Sequence, residues 1–168
     1  PDSIFDDGAD ITTRLERCAG GELMLNGGGG EVFRNFFYLP DRPYSTRRFL
    51  WSFYNRFDPT LCSARFDQTA YFRALAKKVQ KAAGTTNDVL TRKEVEFLYV
   101  GFRCRYWMGR NNGVNNALGY ALTPFIDANI VPEANSAPIR FKNYGNLEAA
   151  MIRMISPSLA SYESAYGH

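Results

Sequence analysis

Histidine is all but missing from this chain, and its one copy is the terminal His168. Ser-His and Cys-His nucleophilic chemistry and histidine-ligated zinc are thereby set aside. What remains is chemistry run by carboxylates, basic groups or an oxygen-bound metal. Cysteine is scarce as well. Cys18, Cys62 and Cys104 are far apart and odd in number, so neither a CxxC metal knuckle nor a complete disulfide framework can be built from them, and a reducing, cytoplasmic setting fits. No apolar run reaches the roughly 18 residues of a membrane span. The opening Pro1-Asp2-Ser3-Ile4 has neither the basic nor the apolar part of a secretory signal, so no membrane partner is expected. An initiator methionine is also lacking, from which we expect a chain processed or cut from something longer. Charge excess is small: 20 lysines and arginines against 17 acids give +3, too mild to argue for nucleic acid.

What the chain does have is apolar and aromatic mass, 45% hydrophobic and 15% aromatic over 168 residues. That is enough for a core of its own, and a single domain over 1–168 is the natural reading. Asp10 is placed to cap a helix over 11–19, closed by Gly20-Gly21. Leu23-Met24-Leu25 reads as a short buried strand, and Glu31 to Phe37 as a helix start after four glycines. From Ser45, apolar residues at Phe49, Leu50, Phe53, Tyr54 and Phe57 mark one face of a helix that Asp58-Pro59 ends. Asp67 reads as an N-cap with Phe66 and Tyr71 as a hydrophobic staple, and Gly84 as the stop, giving a helix over 68–83.

Thr91-Arg92-Lys93-Glu94 is a capping box opening a helix that runs to about Met108. Asparagines and glycines from Gly109 to Gly119 weaken any helix there, because asparagine competes for backbone hydrogen bonds. Thr123-Pro124 breaks the chain again, and Leu147 to Ile155 forms a last short helix before Ser156-Pro157. The fold class is therefore mainly α with one or few strands. A lone strand needs a sheet, so its partners are expected in sequence upstream of Pro1, and the edge left bare is expected to pair with a second copy.

The glycine run Gly27, Gly28, Gly29, Gly30 has two readings. One is a flexible linker. The other is a phosphate-approaching loop between a strand and a helix start, since Leu23 to Leu25 and Val32-Phe33 suit a core rather than linker flanks. It is neither a Walker loop nor a dinucleotide GxGxxG fingerprint. The aromatics Phe49, Trp51, Phe53, Tyr54, Phe57, Tyr106 and Trp107 read as core, although the neighbouring arginines leave a binding role open. The asparagine cluster with Arg110 and Asn111 suits a polar substrate pocket or a loop packed by side-chain amides. Asp127 suits a helix cap.

Read in order, Leu25-Asn26-Gly27-Gly28-Gly29-Gly30-Glu31-Val32-Phe33 resembles the second nucleotide-site motif of asparagine synthetases. Ala121-Leu122-Thr123-Pro124-Phe125-Ile126-Asp127 resembles their Arg-Val-Pro-Phe-Leu-Asp signature, and Gly145 to Arg153 is similar to their closing helix. The resemblance implies the C-terminal portion of an adenine-nucleotide α-hydrolase-like (PP-loop ATP pyrophosphatase) α/β domain. It also implies ATP and Mg2+ as cofactors and a reaction in which a carboxylate is adenylated and then attacked by ammonia or an amine. Many members draw that ammonia from a separate glutaminase domain. The resemblance assigns Gly27 to Gly30 to the nucleotide and Glu31 to catalysis and magnesium.

Three departures from the family pattern stand out: Gly30 replaces an aspartate, Leu122 an arginine and Asn146 a lysine. The Ser-Gly-Gly-x-Asp loop would lie upstream of Pro1, so the chain alone is expected to be inactive, lacking the other half of its domain. Arg34 and Lys142 are candidate substitute cations for pyrophosphate, with Arg110 and Asn111 beside them; the ordinary role of such cations is solvated surface charge. The competing expectation is a catalytically degenerate binding or assembly module. An RNA-binding domain carries less weight, as no RNA motif is present.

Overall fold

The computed structural model describes residues 8–53 and 59–163, and within these the chain is mainly helical with four two-residue strands. Helix α1 spans Gly8–Cys18, so it starts before the expected cap at Asp10. Strand β1 is Met24–Leu25, followed by the glycine loop and a single 3-10 turn, Gly30–Phe33. The helix expected over 31–37 stops at that turn, because Arg34 is already extended (φ −108°, ψ 162°). Strand β2, Tyr44–Ser45, leads directly into α2, Thr46–Phe53. The remainder of the expected face, Tyr54 and Phe57 with the Asp58 stop, lies outside the described residues.

Helix α3, Gln68–Ala83, has the bounds its punctuation predicts. Asp67 Oδ1 accepts from the Ala70 N–H at 2.9 Å, the Phe66 and Tyr71 rings lie 5.4 Å apart as a staple, and Gly84 closes the helix at φ 72°. Strand β3 is Val89–Leu90 and pairs antiparallel with β2. Helix α4, Arg92–Leu98, opens on the full capping box, with Glu94 Oε2 accepting from the Thr91 N–H at 2.6 Å.

The rod that follows departs from expectation twice. From Tyr99 to Met108 it is a π-helix, with the Gly109 N–H reaching back five residues to the Cys104 carbonyl. It then continues as α5, Gly109–Leu118, through the stretch whose asparagines argued against a helix. Those asparagines bond outside the helix: Arg14 Nη1 donates to Asn111 Oδ1 (2.9 Å) and Asn115 Oδ1 (2.7 Å), and Thr123 Oγ1 donates to Asn112 Oδ1 (2.9 Å). Tertiary bonds offset the poor local propensity.

Strand β4, Ala121–Leu122, pairs parallel with β1, in register Met24 to Ala121 and Leu25 to Leu122. One partner of the strand therefore lies 97 positions later in this same chain. Nor is β1 buried: Leu23 and Leu25 are 59% and 72% exposed. Pro124–Ile126 forms a 3-10 turn, then come α6 (Ile130–Ser136), α7 (Ile139–Lys142) and α8 (Asn146–Ile155), the last stopping at Ser156 as expected.

The core gathers residues from α2, β3, α4 and the segment after the glycine loop. Phe49, Leu50, Leu90 and Val95 are at most 1% exposed, and Phe37 sets its ring edge-on against Phe49 (5.2 Å) and Phe53 (4.9 Å). Trp51 and Tyr106 are not core after all. At 45% and 61% exposure they face outward, beyond the buried stripe of α2 and of the π-helix, where Phe102 is also exposed. Among the described residues no helix is long and apolar enough to cross a membrane, and no disulfide joins the cysteines.

Candidate functional site

The three segments that carry the resemblance, separated by up to about a hundred residues, meet in space. β1 and β4 bring the first and second together by backbone pairing, with the Asn26 N–H donating to the Leu122 carbonyl at 2.8 Å. Past the strands, a Cβ built on Gly29 would lie 2.4 Å from Ile126 Cγ2, and the Phe33 ring sits edge-on to Phe125 at 5.6 Å. Gly29 also has φ 88°, so glycine is required there on two counts. The third segment joins through Arg34, whose Nε lies 2.6 Å from Glu148 Oε2 on α8. Arg34, a candidate for free positive charge, is thus already ion-paired.

The glycine loop is partly spoken for by protein. The Gly28 N–H donates to Asn26 Oδ1 at 2.8 Å and the Gly30 N–H to the Gly27 carbonyl at 3.2 Å. Met108 covers Gly28, its terminal methyl lying where a Cβ would stand. Gly27 is the open member, exposed and with nothing within 4 Å of a built Cβ.

Glu31 is half-buried on the 3-10 turn. Its Oε2 accepts the Tyr99 hydroxyl at 2.5 Å, a contact spanning 68 positions. Burial, then the bond to Glu31, pushes the Tyr99 phenol far above its ordinary range, so it stays a donor. Burial also raises the Cys104 thiol, which neighbours Tyr99, so this cysteine is a protonated packing group rather than a nucleophile. Tyr99 had no signal of its own in the sequence, since it sits in a run whose spacing speaks only of core.

Lys142 is elsewhere in character. Solvated surface charge was its ordinary reading, yet its side chain is 0% exposed, with Nζ 3.2 Å from Glu96 Oε2. Arg92 flanks the same carboxylate, with Nη1 2.7 Å from Glu96 Oε1, close but not aligned as a hydrogen bond, and Nη2 donating to Asn35 Oδ1 at 2.6 Å. Asn35 in turn takes the Lys142 carbonyl through its backbone N–H (3.1 Å) and donates to Asn143 Oδ1 (2.8 Å). The group therefore buries two cations with one anion behind the loop. Desolvation lowers the Lys142 amine below its ordinary value, against the pull of Glu96.

Arg110 is exposed on α5, while Asn111 is occupied by Arg14, so the asparagine cluster serves packing between α1, the strands and α5. Asp127 acts as a turn-former: Oδ1 accepts from the Asn129 N–H at 2.8 Å, and its carbonyl accepts from Ile130 and Val131 at the start of α6.

As to a metal, no group of three His, Cys, Asp or Glu side chains occurs among the described residues. Magnesium commonly uses one or two carboxylates and completes its shell with water and substrate phosphates, and Glu31, the acid that follows the glycine loop, fits that minimal donor set. Comparison with family models, curated proteins and solved structures gives no match for this chain.

Proposed function

We propose that this chain supplies one wall of the nucleotide site of an ATP-dependent, amide-forming ligase of the asparagine-synthetase type. In such a ligase ATP adenylates a carboxylate and an amine displaces the adenylate. The observation that carries the reading is the convergence just described: segments 25–33 and 121–127 pair directly, and Arg34, next along from the first, ion-pairs with Glu148 in segment 145–153. Chance similarity in three short segments gives no reason for them to meet. Within this reading Glu31 offers Oε1 to Mg2+, while Tyr99 holds Oε2 and fixes the carboxylate's direction. Backbone at Gly27 is the part of the loop open to a phosphate. ATP, when bound, supplies the leaving group that activates the acyl carbon.

A second reading, a degenerate binding module of the same ancestry, draws on a different observation. Met108 and Ile126 lie over Gly28 and Gly29, which narrows the loop face available to a ligand. Calorimetric titration of Mg·ATP into the intact parent protein that contains this chain, as wild type, Glu31→Gln and Tyr99→Phe, separates the two. The ligase reading expects binding to the wild type, about tenfold weaker for Glu31→Gln, a loss of about 1.4 kcal/mol, and an intermediate loss for Tyr99→Phe. Absence of binding to the folded wild-type parent leaves the module reading in place.

A further inference from the structure

Helices α2 and α3, the end of α4 and the π-helix pack around an apolar groove of about 80 Å³, lined by Phe49 and Leu50 from α2, Leu75 and Val79 from α3, Leu98 from α4 and Phe102 from the π-helix. Its remaining lining comes from Ala82 and the stem of Lys78. The volume is well below the about 150 Å³ that holds a benzene ring, and it suits one branched aliphatic side chain. Three of these elements are unusual in charge, while α4 carries Glu94 and Glu96, the latter buried against Arg92 and Lys142. α2 carries Arg47 and Arg48, α3 carries Arg73, Lys77, Lys78 and Lys81, the π-helix carries two arginines, and none of the three contains an acid. In a chain whose net charge is only +3, these elements hold a local excess of positive charge, and Lys78 brings it to the edge of the groove.

Acids on the adjoining segments offset only part of it and direct their oxygens elsewhere: Asp67 caps α3, Asp88 Oδ1 accepts from Gln80 at 2.9 Å, and Glu94 closes the capping box at Thr91. Among the described residues no ion pair joins an acid to Lys77, Lys78 or Lys81. On the rod's bank of the groove, Phe102 is 43% exposed and leans on Tyr106 at 5.3 Å, with Arg105 over the Tyr106 ring at 5.7 Å.

We propose that this groove docks an acidic protein segment that inserts one aliphatic side chain, Leu, Ile or Val, while its carboxylates lie against Lys78, Lys81 and Arg105. Charge complementarity selects the flanks and the recess selects the anchor. Nucleic acid fits less well: the exposed Trp51 ring already stacks on Phe72 (5.1 Å, 15° between planes), and Phe102 and Tyr106 are tilted 56° to each other, so no pair of rings offers a flat platform for bases. A bilayer surface would meet a recessed rather than a protruding apolar element.

Fluorescence anisotropy of the full chain against a short fluorescein-labelled polyglutamate peptide with one central leucine tests the proposal. The wild type should bind it, more weakly as salt rises, and a leucine-to-serine peptide should bind about tenfold less tightly, as expected for losing one buried leucine. Lys78→Glu combined with Lys81→Glu, both exposed positions, should also cost about tenfold. Ala82→Leu, which fills the groove, should abolish the difference between the two peptides, with a thermal melt confirming that it remains folded. Equal binding of the leucine and serine peptides to the wild type overturns the proposal. So does binding to a polyuridine oligonucleotide, phosphatidylglycerol vesicles or decanoate that matches or exceeds the peptide's, and so does no binding of the peptide at all.

Discussion

Changing Glu96 to glutamine is the severest test of the buried ion group. Glu96, Arg92 and Lys142 side chains are 6%, 6% and 0% exposed, so solvent cannot screen them as it would surface pairs. Glutamine keeps the shape and removes the one negative charge, leaving two buried cations without a counter-ion. Breaking a buried pair in this way costs about 3–5 kcal/mol, a large part of the stability of a small domain. The opposite change behaves differently. Lys142→Met keeps the volume and leaves Arg92 and Glu96 as a neutral pair, so its effect should stay below about 1.5 kcal/mol in either direction.

Urea unfolding at fixed pH measures both. The pH dependence adds an internal check. Lys142 has a native value below the ordinary 10.5. Between the two values the unfolded chain holds more protons than the native one, so this group's contribution improves as pH rises through the window toward 10.5 and is least favourable below the native value. Lys142→Met should erase that slope. A cost under about 1 kcal/mol for Glu96→Gln, or a larger cost for Lys142→Met than for Glu96→Gln, would refute the account of a charge-unbalanced cluster.

Three further outcomes follow from packing and hydrogen bonding. Gly29→Ala must place a methyl 2.4 Å from Ile126 Cγ2 at φ 88°, and should lower stability by about 1–3 kcal/mol. Gly30→Asp has ordinary contact at 3.5 Å with Phe125 and should leave the melting temperature close to wild type. Asn115→Ala removes a buried acceptor of Arg14 (2.7 Å) and should cost about 1.5–3 kcal/mol, with hydrogen exchange speeding first in α1.

Local signals were read well from sequence because their physics is local. The Asp67 cap, the Phe66–Tyr71 staple, Gly84 and the Thr91–Glu94 box each act within a few residues, and α3 and the start of α4 fall where they point. Helix α5 was hidden for the converse reason: Asn111, Asn112 and Asn115 gain their partners from Arg14 and Thr123, contacts no window of sequence contains. The same holds for β1, whose pairing with β4 depends on a distant register, and for Lys142, whose burial depends on Glu96 being brought beneath it. At the candidate site the glycine loop and Glu31 were visible as residue types. Tyr99 and the cover provided by Met108 were not, since neither carries a spacing of its own.

The π-helix between Tyr99 and Met108 has a consequence for how the chain tolerates change in length. A π-helix holds residues in excess of what an α-helical rod would need over the same span, so deleting one residue there invites conversion to ordinary α geometry. Each residue of an α-helix turns the rod by about 100°, so a residue lost from the α-helical turns of α4 would swing Asn111, Asn112 and Asn115 away from Arg14 and Thr123. A residue lost inside the π-helix instead removes the excess and leaves α5 close to its present facing, which makes this stretch the point of the rod where a change in length is absorbed.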